Sequence, residues 1–300
     1  MLRWRLSLGA ILIGGIVALG YFDHKSALPG AWLMPLLIII TILATDEVLR
    51  LFRAAGLDPV AWPVHVGNLA VVAGTWVGWC ANLSVGDTSA ETTVTEAVMQ
   101  IPPAGWALAG LGAALLLIFI GEMRRYEKPG GVIANLSAAA MTVFYVGLPL
   151  AVLIDLRMRW GLAAVASIIL VVKMGDTGAY TIGRLFGRHK MAPTLSPGKT
   201  IEGAFGAFTW AVAGAFIGLN LVTPGMGGEA STVAQWIIFG LLVGAAGMLG
   251  DLAESLIKRD AGRKDSSTWL PGFGGVMDLM DSILLAAPIA WLLLAAFSVF

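Results

Sequence analysis

The chain has 300 residues, of which 58% are hydrophobic and only 13% are charged, and its mean hydropathy is +0.83. This composition excludes an ordinary soluble domain and indicates an integral membrane protein. The 19 basic and 19 acidic residues cancel, so no global positive field exists to attract nucleic acid, and no nucleic-acid partner is expected. The single cysteine, Cys80, excludes an internal disulfide and a cysteine-rich metal site.

Nine apolar segments are long enough, or nearly long enough, to cross a bilayer. In chain order they are Leu6–Phe22, Leu28–Ala44, Val60–Leu83, Ala104–Ile120, Val132–Ile154, Trp160–Val172, Gly203–Val222, Val233–Gly250 and Met280–Phe300. Because lipid offers the backbone no hydrogen bonds, the predicted fold is an all-α bundle of about nine transmembrane helices. Pro35 interrupts the second segment and the sixth is short, so a count of eight is the alternative.

The basic residues predict the orientation of these helices. With nine spans and a cytoplasmic N-terminus, 16 of the 19 basic residues fall on the cytoplasmic side, as the positive-inside rule requires. Arg3, Arg5 and the apolar run after them also resemble a signal peptide. An uncleaved first helix is preferred, because the charge alternation holds with that segment retained.

Ionisable residues beside apolar spans mark a site by default, and here they gather in the C-terminal half. We therefore predict N-terminal transmembrane helices over residues 1–155 and a catalytic transmembrane region over 156–300. The catalytic region is expected to carry two polar loops on the cytoplasmic side, 173–203 and 251–281.

The first polar segment, 173–203, has the composition of a phosphate-binding loop. Asp176 ends an apolar span, and Ser196-Pro197-Gly198 is a turn sequence that leads into Lys199 and Thr200. Backbone N–H groups, a lysine and hydroxyls can together cradle phosphate oxygens. The alternative is a basic loop that only sets topology or touches anionic lipid.

The second segment, 251–281, pairs carboxylates with basic residues. Asp251 and Glu254 are three residues apart, as are Asp278 and Asp281, so each pair shares a face if it is helical. Glycines between the two pairs allow a reversal that brings the acidic ends together. Mg²⁺ prefers one or two carboxylates plus substrate phosphates, so this segment predicts a magnesium site.

The run GDLAESLIKRDAGRKDSSTWLPGFGGVMDLMDS resembles the signature of the phosphatidate cytidylyltransferases, also called CDP-diacylglycerol synthases. The matching positions are Ser255, Lys258, Arg259, Lys264, Asp265, Gly274, Gly275, Asp278 and Asp281. The run GDTGAYTIGRLFGRHKMAPTLSPGKTIEG resembles the second typical block of that family, and together the two runs cover roughly 171–282. Phe273 and Leu279 replace the His and Arg usual in the family, which puts the substrate in doubt.

The resemblance implies transfer of CMP from CTP to phosphatidic acid, with Mg²⁺ as the cofactor and a second cation as an option. The catalytic residues that it implies are Asp251, Asp278, Lys258 and Lys264. Substrate binding is assigned to Asp176, Ser196, Lys199, Thr200, Arg259 and Asp265, and metal binding to Asp251, Asp278 and Asp281.

Alternative functions remain open at this point. A related CTP-dependent enzyme that acts on another lipid or polyprenol phosphate would use the same chemistry. A membrane transporter would place its ionisable residues near span centres and show inverted repeats, and neither is seen. A catalytically inactive homologue is disfavoured by the retained carboxylates and lysines. The resemblance implies a bacterial inner membrane location, and the 38 glycines allow close helix packing, including that of a homodimer.

Overall fold

The computed structural model describes residues 2–84, 101–225, 230–267 and 274–297. Within these ranges the chain divides into two compact units, one formed by residues 1–158 with 266–276 and the other by 159–265 with 277–300. This division does not test the predicted roles of 1–155 and 156–300, because compactness does not show which part is catalytic.

The first unit is helical. Its elements are α1 Leu2–Lys25, α2 Met34–Ala54, α3 Ala61–Ser84, α4 Pro103–Arg124 and α5 Val132–Thr142, followed by a π-helical turn at Val143–Gly147. Prolines sit in the first turns of α2 and α4, where the missing N–H is not needed. Small residues let α3 and α4 approach closely, since a Cβ at Gly110 would lie 2.9 Å from Val71 Cα.

A long helix, α6 Leu148–Phe186, leads out of this unit and is broken at Gly161, whose φ of 80° and ψ of −176° are not helical. The rest of the chain comprises β1 Lys190–Ala192, β2 Ser196–Thr200, α7 Ile201–Ile217, α8 Val233–Asp260 and α9 Met277–Phe297. After α7 the chain passes through a π-helical turn, Gly218–Val222. The two strands pair antiparallel, with Lys190 opposite Thr200 and Ala192 opposite Ser196.

The described residues include six helical stretches that are long and apolar enough to cross a membrane. They are Ala61–Leu83, Pro103–Arg124, Val132–Phe186, Ile201–Val222, Val233–Asp260 and Met277–Phe297. The protein thus fits the predicted all-α membrane class, apart from one short hairpin. The fifth and sixth predicted segments lie in one 55-residue stretch, Val132–Phe186. The count of nine spans and the cytoplasmic N-terminus stay predictions.

The two polar segments are more regular than the predicted loops. Residues 173–186 belong to α6, 190–200 form the hairpin, and 201–203 begin α7. Likewise α8 continues to Asp260, and α9 already includes Asp278 and Asp281. Helices continue here because their backbone hydrogen bonds do not depend on apolar side chains, so the end of an apolar run does not mark the end of a helix.

A glycine seam joins α6 to α7 in the second unit. We use this name for Gly175, Gly178 and Gly183 of α6 with Gly203 and Gly206 of α7. A Cβ at Gly203 would lie 2.9 Å from Ala179 O, and a Cβ at Gly206 would lie within 2.6 Å of both Ile182 Cγ1 and Gly178 O. The two backbones therefore pass in direct contact, which only glycine allows at these positions.

Candidate functional site

A pocket of about 430 Å³ lies within the second unit. Its walls come from α6, the hairpin, α7 and α8. The lining residues that carry polar side chains are Asp176, Tyr180, Arg184, Ser196, Lys199, Thr200 and Asp251. Five of these were predicted from the sequence as substrate or metal residues, so the structure brings the first polar segment and Asp251 together at one site.

The hairpin supplies the polar wall of this pocket, and it is held at both ends. At its base, the Glu202 carboxylate accepts hydrogen bonds from Arg188 N at 3.0 Å and His189 N at 3.2 Å, and it lies 2.6 Å from His189 Nδ1. At its tip, Arg259 Nε donates to Leu195 O at 3.2 Å. A two-stranded hairpin is only marginally stable alone, so these contacts are needed to hold Ser196 and Lys199 in place.

Thr200 closes the hairpin and starts α7. Its backbone is extended and its Oγ1 accepts a hydrogen bond from Gly203 N at 3.0 Å, which is the N-cap arrangement. The side chain is buried and lines the pocket. The first turn of α7, with its N–H groups and positive dipole end, therefore begins at the pocket wall, where it favours anionic groups.

Lys199 and Asp251 face each other across the pocket. Lys199 Nζ lies 2.8 Å from Asp251 Oδ2, and both side chains are part-exposed. Ser255 Oγ lies 3.5 Å from the other carboxylate oxygen of Asp251. The pair places a positive and a negative group side by side in the pocket lining, and their predicted roles toward phosphate and metal stay predictions.

Lys258 joins α8 to α9. Its ammonium donates to Glu254 Oε2 and to Asp278 Oδ1, each at 2.6 Å. The lysine is buried and Glu254 is 1% exposed. Among the described residues, Glu254 Oε1 has no hydrogen-bond partner. Lys258 was predicted to be a catalytic residue; in this structure its ammonium pairs with two carboxylates, and its catalytic role stays a prediction.

The three predicted metal ligands lie on α8 and α9. Asp281 is buried, accepts a hydrogen bond from Ser282 N at 2.5 Å, and interacts electrostatically with Asp251 and Lys173. Asp278 is the partner of Lys258. Among the described residues, no group of three or more His, Cys, Asp or Glu side chains is arranged to hold a metal ion. Mg²⁺ needs few carboxylates when phosphates complete its shell, and its binding by Asp251, Asp278 and Asp281 stays a prediction.

Among the described residues, the other site residues that the sequence predicted are not part of the pocket lining. Arg259 is exposed and holds the hairpin tip and Arg263 O rather than facing the cavity. Lys264 and Asp265 are exposed. Leu279 is half-buried on α9, and Phe273 lies outside the described residues.

Two pocket residues were not predicted from the sequence. Arg184 Nη1 donates to Tyr180 OH at 2.7 Å, and both side chains line the cavity. Tyr180 and Arg184 are four residues apart, so they lie on one face of α6. This spacing is the sequence pattern from which the pair could have been predicted.

Replacing Thr200 by alanine is expected to cost about 1 kcal/mol of stability, the usual value of a lost N-cap, and to lower activity because Thr200 lines the pocket. Thr232 is the matched control, since it caps α8 through Gln235 N and is not part of the pocket lining. Thr232→Ala should show a similar stability loss with normal turnover. Thermal unfolding and turnover on both variants provide the test, and equal activity in the two would contradict a role for Thr200 in the pocket.

Comparison of the sequence with known proteins shows the family to which it belongs. The model described as the cytidylyltransferase family matches residues 4–297. A phosphatidate cytidylyltransferase of Mycobacterium bovis is 30% identical over 307 residues, spanning 96% of this chain and 85% of that protein. One of Haemophilus influenzae is 41% identical over 128 residues, 43% of this chain and 44% of that protein. The Escherichia coli protein YnbB is 35% identical over 64% of this chain and 61% of its own length. The chain belongs to the cytidylyltransferase family.

Proposed function

We propose that this protein transfers CMP from CTP to phosphatidic acid, producing CDP-diacylglycerol and pyrophosphate for phospholipid synthesis. Family membership over nearly the whole chain supports this function, as do relatives named phosphatidate cytidylyltransferase. The observation that carries the proposal is the pocket in which Ser196, Lys199, Thr200 and Asp251 meet. Membership of this family also argues against the transporter alternative.

The reaction requires the enzyme to hold two polyanions in line. A phosphate oxygen of the lipid forms a bond to the α-phosphorus of CTP, and the bond from that phosphorus to the bridging oxygen of the β-phosphate breaks. The lipid phosphate is already ionised at neutral pH, so no base has to remove a proton. Lys199 and the α7 N-terminus would bind and orient the triphosphate. The tethered hairpin would limit its movement.

Magnesium is the cofactor that these residues would suit. Asp251 is the best-placed ligand because it lines the pocket. Asp281 and Asp278 would complete the set of metal ligands. When bound, Mg²⁺ neutralises phosphate charge and helps pyrophosphate to leave. Lys258 pairs with both Asp278 and Glu254. Its positive charge would reduce the repulsion between the acidic ends of α8 and α9.

We also propose how the enzyme lies in its membrane. Sixteen of 19 basic residues fall on one side under the nine-span arrangement, which supports a cytoplasmic N-terminus. The polar segments would then face the cytoplasm of a bacterial inner membrane, where CTP is available and the lipid head group can enter sideways. The homodimer stays a prediction.

The decisive experiment follows labelled CMP from CTP into lipid with purified protein, phosphatidic acid and Mg²⁺. We expect CDP-diacylglycerol to form, to fall to background with EDTA, and to return when Mg²⁺ is restored. Asp278→Asn should abolish the product. Asp46→Asn is the control, because Asp46 pairs with the exposed Arg50 on α2 and is not part of the pocket lining.

Two results would change the proposal. Product that is unaffected by EDTA would contradict the metal requirement. No product from folded protein would contradict phosphatidic acid as the acceptor. Parallel reactions with a polyprenol phosphate then test the related enzyme that Phe273 and Leu279 suggest.

A further inference from the structure

Glu47 is a buried carboxylate of α2 that lies outside both polar segments. Glu47 is 4% exposed, so groups of the protein rather than water must stabilise its carboxylate. Ser267 Oγ donates to Glu47 Oε1 at 2.7 Å and Val276 N donates to the same oxygen at 3.0 Å. Ser266 Oγ donates to Oε2 at 3.0 Å. One carboxylate therefore receives three hydrogen bonds from a segment more than 200 residues further along the chain.

These partners lie on both sides of residues 268–273 in the second polar segment. Ser266 directly follows Asp265, and Val276 precedes Asp278 by two residues. The fit is close, because a Cβ at Gly275 would collide with Ser266 Oγ and the Glu47 carboxylate. Glu47 thus holds Ser266 and Val276 at a common point.

We infer that Glu47 is a positioning residue for CMP transfer. By holding Ser266 and Val276, it sets the backbone from which Asp265 on one side and Asp278 on the other project. This inference rests on the proposed function. Charge-assisted hydrogen bonds to a carboxylate are short and strong, and small misplacements of reacting groups carry large rate penalties.

The test compares Glu47→Ala and Glu47→Gln with Glu122→Ala. Glu122 is the matched control, because it is also a buried glutamate of the first unit and it binds Arg125 at 2.7 Å. We expect Glu47→Ala to lower kcat about 10- to 100-fold. The KM for CTP should change less than about threefold, since removing a positioning group affects the reacting geometry rather than ground-state binding.

Glutamine should restore most of the turnover. Its amide oxygen can accept from Ser267 and Val276, and its amide nitrogen can donate to Ser266 Oγ. Glu122→Ala should lose stability with kcat near that of the wild type. Equal kcat losses in Glu47→Ala and Glu122→Ala, or a normal kcat in Glu47→Ala, would overturn the inference.

Two further measurements keep the test decisive. If Glu47→Ala does not fold, the double variant Ser266→Ala with Ser267→Ala takes its place, and unchanged kcat there would overturn the inference. Hydrogen exchange at the Val276 amide is independent of activity and should be slow in the wild type and faster in Glu47→Ala. Absence of product from wild-type protein would count against the proposed function alone, whereas unchanged exchange at Val276 would count against the role of Glu47.

Discussion

Replacing Lys258 by methionine is expected to lower the free energy of unfolding by about 3–5 kcal/mol, because it leaves the buried Glu254 carboxylate without its counter-ion. Lys258 bonds Glu254 on its own helix and Asp278 at the start of α9, each at 2.6 Å. Methionine keeps the unbranched shape and removes only the charge. Chemical unfolding in detergent, followed by a spectroscopic probe, measures the effect.

Two companion variants show whether the charge is responsible. Lys264→Met changes an exposed lysine of the same signature and should stay within about 0.5 kcal/mol of the wild type. Adding Glu254→Leu to Lys258→Met removes one uncompensated carboxylate and should recover part of the loss. A Lys258→Met protein as stable as the wild type would show that the acidic ends of α8 and α9 do not need this lysine.

Replacing Lys199 by alanine is expected to lower kcat/KM for CTP about 10²- to 10³-fold, the usual effect of losing one donor aimed at developing charge. Lys199 lines the pocket and its ammonium is held 2.8 Å from Asp251, so it can reach a phosphate group there. Steady-state kinetics with CTP as the varied substrate measure the change. Lys199→Arg should retain part of the activity, because it keeps the charge with a different geometry.

The matched control for this prediction is Lys190→Ala. Lys190 lies on β1 opposite Thr200, in the same hairpin, but it is exposed and not part of the pocket lining. Its loss should change kcat/KM less than about threefold, as for surface substitutions generally. Equal losses in the two variants would indicate a general effect of positive charge near the membrane surface rather than a contact made by Lys199.

The pocket could be predicted from sequence because its residues stand out locally. Asp176, Lys199 and Asp251 are ionisable residues near the ends of apolar runs. Placing a charge beside membrane-spanning sequence costs free energy, so such residues indicate a functional site. Ser196 and Thr200 flank a turn sequence and a lysine that suit phosphate. Each of these signals needs only neighbouring residues to be recognised.

Glu47, by contrast, could not be recognised in this way. Its helix also contains Asp46, which pairs with the exposed Arg50, and nothing in the local sequence distinguishes the roles of the two acids. The hairpin was missed because Pro197 and Gly198 in β2 disfavour a strand, and the strand depends on tethers from Glu202 and Arg259. Arg259 matched a signature position, yet its contact with Leu195 O is set only by tertiary structure.

The glycine seam limits which walls of the pocket can be changed by substitution. Gly183 and Gly203 are both members of the seam and walls of the pocket, so a larger side chain there would push the two helices apart before it changed the cavity. Gly198 differs, because a Cβ at that position meets nothing within 4 Å. Substitutions meant to reshape the pocket should therefore vary the hairpin and leave the seam intact.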